Sequence, residues 1–195
     1  MRLFAGLGNP GAAYAKNRHN VGFMAVDRIA SRYGFSSWKQ KGPSLISEGR
    51  LASGKAVLIK PQTFMNKSGP PIADIARYHK IESNNVFVFH DELDLAAGKV
   101  RVKFGGGHGG HNGLRDIDRH LGLAYWRVRI GIGRPPYGPV DVRSWVLADF
   151  SRDEQAGWVP ALLDAMTDEI NRLCQQDDGG FMSRVAYLAP APSTQ

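Results

Sequence analysis

The sequence contains a single cysteine, Cys174, so no disulfide can form within the chain. Disulfides are typical of proteins in oxidising compartments and rare in reducing ones. The chain also has no apolar run approaching the roughly 18 residues that indicate a membrane-spanning helix. One basic residue, Arg2, precedes the first predicted strand, a pattern that does not resemble a secretory signal. We therefore expect a cytoplasmic protein that does not bind membranes.

Several catalytic motifs are missing as well. The chain has no Gly-x-Ser-x-Gly elbow, and its one cysteine falls within a predicted helix, so covalent catalysis is not indicated. The glycine-rich segment 105–110 lacks the Lys-Ser/Thr ending of a loop that binds nucleoside triphosphates. Gly6, Gly8 and Gly11 have the spacing of a dinucleotide-binding turn. However, Pro10 occupies that turn, and no acidic residue ends a second strand about 20 residues later.

Positive charge is in excess. The chain has 25 lysines and arginines against 18 aspartates and glutamates, a net charge of +7. Such an excess favours a polyanionic partner such as nucleic acid, although a basic surface that binds nothing would give the same total. The length of 195 residues and the apolar content of 43% predict one domain with a substantial core.

Predicted strands and helices alternate along the chain. The predicted strands are Leu3–Leu7, Ser44–Leu51, Ala56–Ile59, Val86–Phe89, Val100–Phe104 and Val128–Ile132. The predicted helices are Val21–Tyr33, Ile72–His79 and Leu114–Leu121, and Ser53-Gly54 predicts a hairpin turn. This alternation predicts a single α/β domain over residues 1–188, with a twisted mixed β-sheet flanked by helices in three layers.

The carboxyl-terminal part of the chain predicts one long helix. Residues 151–154 form a capping box, and apolar residues at helical spacing follow up to Leu173. Pro160 lies inside this pattern, so we expect it to kink the helix or to mark its true start. An Asp-Asp-Gly-Gly segment would end the helix, and a short turn or helix over 181–188 would follow. The Pro/Ser-rich tail 189–195 is expected to be disordered.

Polar side chains follow three of the predicted strands. Asn9 and His19 come after the first strand, Asn66 after the third and Asp91 after the fourth. If these strands are parallel neighbours, the four side chains share one edge of the sheet, where ligands bind in open α/β folds. A carboxylate beside a histidine orients the ring and raises its pKa toward the range of a general base. Each residue also has a structural interpretation, Asn9 as a turn residue, Asp91 as a cap and His19 as a surface histidine, which their joint placement disfavours.

A second unusual segment begins at Lys99. Lys99, Arg101 and Lys103 alternate with apolar residues, and Arg127 and Arg129 repeat this arrangement in the next strand. Because successive side chains point to opposite faces of a sheet, both strands would present a basic face. We expect this face to contact nucleic acid phosphates, although lysines on an edge strand also discourage aggregation.

Glycines and histidines follow this basic segment. Residues 105–110 predict a mobile loop or a surface that a ligand backbone approaches closely. Asn112, at the start of the next helix, is a candidate N-cap and equally a candidate substrate-binding residue. His108 and His111 could bind a metal with the His-Asp pair after the fourth strand. However, the intervening glycines give no fixed spacing and no cysteine joins them, so no metal is expected.

Four ordered segments of the chain resemble the bacterial peptidyl-tRNA hydrolase family. They are Gly6–Phe23 (GLGNPGAAYAKNRHNVGF), Lys60–Gly69 (KPQTFMNKSG), Asp91–Ile117 (DELDLAAGKVRVKFGGGHGGHNGLRDI) and Arg127–Pro135 (RVRIGIGRP). The resemblance extends over nearly the whole chain. It implies hydrolysis of the ester that joins a peptide to the 3′ ribose of tRNA, by a monomer without metal or organic cofactor. The partner would be peptidyl-tRNA, bound at its acceptor stem and 3′ end.

The resemblance also implies a role for each matching residue. His19 would be the general base that activates water, and Asp91 would hold and polarise it. The peptide main chain, the attacking water and the ester carbonyl would be positioned by Asn9, Asn66 and Asn112. The peptide groove would be lined by Tyr14, Phe64 and Met65, and acceptor-stem phosphates would be bound by Arg101, Lys103 and Arg129.

Two other functions stay open at this point. The first is an RNA-binding module of the same fold without catalysis, although such a module would not need His19 and Asp91. The second is a metal-dependent phosphodiesterase, which would need metal ligands that the sequence does not supply convincingly. An assay of ester cleavage separates the first of these from the hydrolase.

Overall fold

One β-sheet organises the computed structural model, which describes residues 1–136 and 138–193. Its strands are β1 (Arg2–Gly6), β2 (Lys39–Lys41), β3 (Ser44–Leu51), β4 (Gly54–Pro61), β5 (Val86–Glu92), β6 (Val100–Phe104) and β7 (Trp126–Gly131). Within the described residues the sheet has seven strands in the order β2-β3-β4-β1-β5-β7-β6. The hairpin predicted around Ser53-Gly54 joins β3 to β4, whereas the sequence patterns did not predict β2.

The strand directions bring several strand ends together. Strands β4, β1, β5 and β7 are parallel neighbours. The remaining strands continue the sheet in antiparallel pairs at its two sides. The carboxyl ends of the four parallel strands therefore lie along one edge of the sheet, which we call the carboxyl edge.

Helices cover both faces of the sheet. They are α1 (Val21–Arg32), α2 (Gly69–Tyr78), α3 (Asn112–Leu121), α4 (Val142–Val146), α5 (Arg152–Ala156), α6 (Trp158–Asp168), α7 (Ile170–Cys174) and α8 (Asp178–Leu188). Short 3-10 turns at Ala12–Tyr14, Arg18–Asn20, Met65–Lys67 and Ser83–Asn85 join them to the strands. Among the residues described, no helix combines the length and apolar character required to cross a bilayer.

Alternate residues of the central strands face two hydrophobic clusters. Phe4 of β1 packs with α1, α6, α7 and α8 on one face, whereas Leu3 and Ala5 pack with α2 and α3 on the other. On β5, Phe87 and Val88 are divided between the clusters in the same way. Successive side chains of a strand point to opposite faces, so both faces of the sheet are buried. The predicted three-layer α/β fold with a mixed sheet is confirmed.

The single long carboxyl-terminal helix predicted from the sequence is wrong. The capping box is present, with the Ser151 hydroxyl accepting from the Glu154 backbone N–H, but it begins only the five-residue helix α5. Gly157 then leaves helical geometry (φ −113°, ψ −108°), and α6 begins with Pro160 at its third residue. A proline in the first turn of a helix lacks only an N–H that would have no partner there. Pro160 thus lies at the start of a helix, which confirms one of our two expectations, and it does not kink a longer helix.

The residues that follow α8 stay in contact with the rest of the protein. Ala189 is buried, and its backbone N–H donates to the carbonyl oxygen of Val185 at 2.9 Å. A Cβ added at Gly98 would lie 2.7 Å from Cδ of Pro192, so the two residues are in close contact. Thr194 and Gln195, the end of the tail expected to be disordered, lie outside the described residues. The domain boundary at residue 188 stays a prediction.

Helix α1 begins directly on the carboxyl edge because of a close backbone contact. A Cβ on Gly22 would lie 2.2 Å from the carbonyl oxygen of Phe89 and 2.5 Å from the amide nitrogen of Leu7. Gly6 faces the same contact, since its Cβ would lie 2.3 Å from the carbonyl oxygen of Gly22. The backbone N–H of Phe23 also donates to the carbonyl oxygen of Leu7 at 3.2 Å. Gly6 therefore allows α1 to pack closely on the sheet.

We expect Gly22→Ala to destabilise the protein by about 1–3 kcal/mol, because the added methyl group meets backbone atoms that cannot rotate away. Gly179→Ala is the matched control. It lies in α8, and a methyl group added there would have nothing within 4 Å, so the substitution should be neutral or stabilising by up to about 1 kcal/mol. Chemical denaturation of both variants measures the difference. Equal stability of the two variants would contradict this account of the contact.

Candidate active site

Polar residues from three neighbouring strands converge at the carboxyl edge. The segment after β1 carries Asn9 and the turn with His19, the segment after β4 carries Asn66, and β5 ends in Asp91-Glu92. Strand β1 lies between β4 and β5, and both pairings are parallel. The strand arrangement that the sequence analysis had to assume is therefore confirmed, and the side chains meet as expected.

His19 and Asp91 form the closest polar contact of this group. The ring nitrogen Nδ1 of His19 lies 2.9 Å from both carboxylate oxygens of Asp91. The side chain of Asp91 is 2% exposed and that of His19 is 12% exposed. A carboxylate that is buried so completely is destabilising unless it is hydrogen-bonded on more than one side.

A second histidine supplies the other bond to this carboxylate. His111 Nε2 lies 2.8 Å from Oδ1 of Asp91, and the ring stacks at a tilt 5.1 Å from that of His19. Sequence reasoning considered His111 only as a metal ligand and did not place it in the catalytic group. Its spacing from Asp91 carried no signal, because the glycine-rich loop between them has no fixed periodicity. Only the position of α3 at the carboxyl edge brings the two together.

The amino terminus of α3 fixes the tautomer of His111. His111 is the N-cap of α3, and its Nδ1 accepts from the backbone N–H groups of Gly113 at 3.1 Å and Leu114 at 3.4 Å. Because Nδ1 accepts, it carries no proton, so the proton of the neutral ring lies on Nε2 and points at Asp91. This assignment also corrects the alternative role of Asn112, which begins the helix and does not cap it.

The same reasoning fixes the tautomer of His19. A carboxylate only accepts hydrogen bonds, so Nδ1 of His19 must carry the proton that faces Asp91. The other ring nitrogen, Nε2, then has the free lone pair. His19 also lines a large cleft. A histidine held in this way presents a base to whatever occupies the cleft.

The two ionisable groups have shifted pKa values. Burial alone would raise the pKa of Asp91, but its electrostatic interactions and hydrogen bonds with His19 and His111 outweigh that effect and hold the pKa well below its usual range. Burial alone would lower the pKa of His19, but the charge and hydrogen bond of Asp91 outweigh that effect, so the pKa of His19 is raised. The carboxylate therefore stays ionised at neutral pH and stabilises the protonated ring.

The neighbouring His90 does not titrate in the same range. It is fully buried, and burial together with the nearby ring of His111 lowers its pKa to about 3. Its Nδ1 lies 2.8 Å from the backbone carbonyl oxygen of Asp91, so it donates there as a neutral ring. His90 thus supports the backbone of Asp91 without adding charge to the site.

A cleft of about 1020 Å³ opens over this group. All eight residues predicted to act in catalysis or peptide binding line it: Asn9, Tyr14, His19, Phe64, Met65, Asn66, Asp91 and Asn112. A further wall comes from α4 and its surroundings and includes Arg134, Asp141, Val142, Arg143, Val146 and Leu147. The sequence analysis predicted neither α4 nor this wall.

The side chains in the cleft differ in how firmly they are held. Asn9 is 7% exposed, and its Oδ1 accepts from the backbone N–H of Met65 at 2.8 Å. This bond turns the amide so that its NH₂ group is the part left to donate. Asn66 and Asn112 are exposed, and Phe64 is an exposed aromatic ring at 60%. The cleft therefore combines one fixed donor with adaptable polar and apolar contacts.

The basic strand face is present in part. Arg101 and Lys103 on β6 are exposed, and Arg129 on β7 lies directly opposite Arg101. Arg129 is 29% exposed and bonds Glu92, which lines the cleft, at 2.8 Å. The prediction for Arg127 is wrong. Its side chain is 2% exposed and pairs with Asp118 of α3 at 2.8 Å, because α3 covers this part of β7.

The site also has the residue types of a metal centre. His19, Asp91 and His111 each have a ligand atom within 4.8 Å of the others. A metal bound to Nε2 of His111 would require the ring proton to move to Nδ1. There it would face the N–H groups of Gly113 and Leu114. The N–H groups of Gly113 and Leu114 would then point at another N–H group, which is unfavourable. These residues therefore do not fit a metal.

We expect Asp91→Asn to lower the activity and to shift its pH dependence. Without the carboxylate, burial alone acts on His19, so the pKa of His19 falls below its ordinary value. The base must be neutral to act, so the acidic limb of the kcat/KM profile should move to lower pH while the plateau falls. Profiles from pH 5 to 9 measure both effects, and an acidic limb that moved to higher pH would exclude Asp91 as the partner of His19.

Comparison with known proteins identifies relatives along the whole chain. A family model described as Peptidyl-tRNA hydrolase matches residues 3–192. The peptidyl-tRNA hydrolase of Mesorhizobium japonicum is 53% identical over 186 residues, which are 95% of this chain and 77% of that protein. The peptidyl-tRNA hydrolase of Rhodospirillum centenum is 51% identical over 192 residues, which are 98% of this chain and 84% of that protein.

Solved structures agree with this result. The crystal structure of peptidyl-tRNA hydrolase from Acinetobacter baumannii superposes with a TM-score of 0.88 and 36% sequence identity, covering 98% of this chain and 97% of that one. A complex of peptidyl-tRNA hydrolase with N-propanol has a TM-score of 0.89 at the same identity and coverage. The chain therefore belongs to the peptidyl-tRNA hydrolase family.

Proposed function

We propose that His19, held by Asp91, activates the water with which this chain hydrolyses the ester of peptidyl-tRNA, releasing the peptide and free tRNA. The observation that carries the proposal is the hydrogen-bonded series His111–Asp91–His19, which ends in an unprotonated nitrogen at the wall of the cleft. An ester with an alkoxide leaving group needs no covalent nucleophile, provided that a base and hydrogen-bond donors are in place.

The proposed steps move one proton through His19. Nε2 of His19 takes a proton from water as the water oxygen attacks the ester carbonyl carbon. The imidazolium formed at His19 is stabilised by the ionised Asp91, whose carboxylate is 2.9 Å from Nδ1. When the bond between the carbonyl carbon and the ribose oxygen breaks, the imidazolium returns the proton to that oxygen. The products are a peptide with a free carboxyl group and a tRNA with a free 3′ end.

Charge that develops on the carbonyl oxygen needs a donor that is already in place. The NH₂ group of Asn9 is the donor that the protein fixes in the cleft, because Oδ1 of the same amide is bound to Met65. Asn66 and Asn112 line the cleft as exposed amides, and we assign them to the attacking water and the ester group. The peptide would lie across Tyr14, Phe64 and Met65.

The tRNA would extend from the cleft over the basic residues of β6 and β7. Arg101, Lys103 and Arg129 belong to adjacent strands, and Arg129 is joined through Glu92 to the wall of the cleft. Arginine and lysine on such a surface bind phosphates without reading base sequence. This arrangement suits a substrate whose acceptor stem varies in sequence while its 3′ ester does not.

An RNA-binding module without catalysis explains the site less well. A buried carboxylate between two histidines is destabilising unless all its bonds are made, and RNA binding has no need of it.

We further propose that the enzyme acts as a monomer in the cytoplasm, where its tRNA substrate is found. The single cysteine, which is buried, suits such a compartment. Light scattering of the purified protein tests the monomer.

We expect His19→Ala to lower turnover of an N-acyl-aminoacyl-tRNA by about 10² to 10⁴-fold, the usual contribution of a general base. Binding of the tRNA should change little, because the basic residues are untouched. His120→Ala is the matched control, since His120 is an exposed histidine at the far end of α3. A deacylation assay with both variants measures the effect. Near-normal turnover of His19→Ala would remove the proposed mechanism.

Charge reversal on β6 tests the proposed tRNA surface. We expect Lys103→Glu to raise KM for tRNA esters and to reduce the slope of log KM against log salt by about 1. Lys39→Glu, on the strand at the opposite side of the sheet, should leave that slope unchanged. Cleavage of a short ester that lacks the acceptor stem should be equal in both variants. If Lys103→Glu leaves the salt slope intact, the lysine only protects the strand edge.

A further inference from the structure

The residue that follows His19 makes an unusual pair of bonds. Asn20 lies on the same 3-10 turn as His19 and is 2% exposed. Its Oδ1 accepts from the backbone N–H of Asn9 at 2.9 Å, and its Nδ2 donates to the backbone carbonyl oxygen of Asn9 at 2.9 Å. One amide side chain therefore satisfies both backbone groups of a single residue. A pair of bonds of this kind fixes the rotation of the amide as well as its distance.

Gly8 provides the space for this contact. A Cβ at Gly8 would lie 3.0 Å from Cγ of Asn20 and 2.8 Å from the ring of Phe23. Any side chain at this position would push the amide of Asn20 away from Asn9. Gly8 thus leaves room for the bonds of Asn20, in the same way as Gly6 leaves room for the start of α1.

The backbone of Asn9 is therefore fixed from one side and its side chain from the other. Asn20 binds the backbone, and the N–H of Met65 binds Oδ1 of the side chain at 2.8 Å. Of the polar groups of Asn9, the side-chain NH₂ group is the one without a partner among the described residues, so it can bind a ligand. Its position relative to His19 depends on Asn20, since Asn20 and His19 belong to the same turn.

We propose that Asn20 is a positioning residue that sets the distance between the water-activating base, His19, and the carbonyl donor, Asn9. This inference rests on the proposed function of both residues. The side-chain bonds of Asn20 go to Asn9 and not to the ring of His19, so its effect on the reaction passes through Asn9. A donor displaced by even about 1 Å from the developing negative charge loses much of its effect on the rate.

A double-mutant cycle tests this directly. We expect Asn20→Ala to lower kcat at least 10-fold with a smaller change in KM, and Asn9→Ala to lower kcat by at least as much. If Asn20 acts through Asn9, the double variant should be no slower than Asn9→Ala, within about 2-fold. Losses that multiply in the double variant would overturn the proposal.

Two further measurements separate positioning from a general loosening of the turn. The acidic limb of the pH profile should stay at its wild-type position in Asn20→Ala, because the pair His19–Asp91 is intact. Exchange of the Asn9 backbone N–H with deuterium should become faster. A shifted acidic limb, or unchanged protection of this N–H, would contradict the proposal. If Asn20→Ala does not fold, Asn20→Asp can be tested in the same way. This variant keeps the acceptor for the Asn9 backbone N–H and loses the donor to the Asn9 carbonyl oxygen.

Asn17→Ala is the matched control for the turn. Asn17 is also buried on this segment, but its Nδ2 donates to Asp149 and not to the site. Any loss from Asn17→Ala should therefore multiply with that of Asn9→Ala. The proposed function itself is refuted by different results, namely a wild-type protein that does not cleave the ester or a His19→Ala variant that retains turnover. An active wild type with a fully active Asn20→Ala refutes only the inference about Asn20.

Discussion

The carboxylate of Asp91 is buried between two imidazole rings, and the orientation of each group at the site depends on the one before it. The backbone N–H groups at the start of α3 make Nδ1 of His111 an acceptor, so Nε2 of that ring donates to Asp91. Asp91 then requires a donor at Nδ1 of His19. Each bond excludes the alternative tautomer of the next ring, and the series ends in a lone pair at the cleft. A buried charge is maintained here because every partner is itself fixed.

This series requires that separate segments meet within hydrogen-bonding distance, and the sheet provides for it. Parallel pairing of β4, β1 and β5 aligns their carboxyl ends, so side chains far apart in sequence meet there. The contact of Gly6 with Gly22 then allows α1 and the turn before it to lie directly against these ends. His19 is thus carried by a short turn that is held at both sides, and not by a free loop. The glycine-rich loop 105–110 leads to His111, whose position is set by α3 and not by the loop.

Agreement between sequence and structure is closest where a local pattern decides the outcome. Apolar runs placed β6 at its observed bounds, β1 within one residue and β5 within three, and the capping box at Ser151 is present as predicted. The pattern from Ser151 to Leu173 predicted one helix, but three form, because helical spacing of apolar residues continues across breaks at Gly157 and Glu169. Arg127 follows the same alternation as Arg129, yet α3 covers it and Asp118 pairs with it. Alternation assigns a side chain to a face, and what lies over that face depends on packing.

The order of amino acids was sufficient to predict the fold class and the strands that carry the polar residues, since these depend on local periodicity. The pairing of His19 with Asp91 could be predicted only by assuming that their strands are parallel neighbours, an arrangement that the folded sheet shows. Three other features became visible only in the folded chain: His111 completes the bonds of Asp91, α4 forms one wall of the cleft, and Asn20 binds the backbone of Asn9. Each of these contacts joins segments whose separation in the sequence has no periodicity, and their geometry exists only once the helices are packed on the sheet.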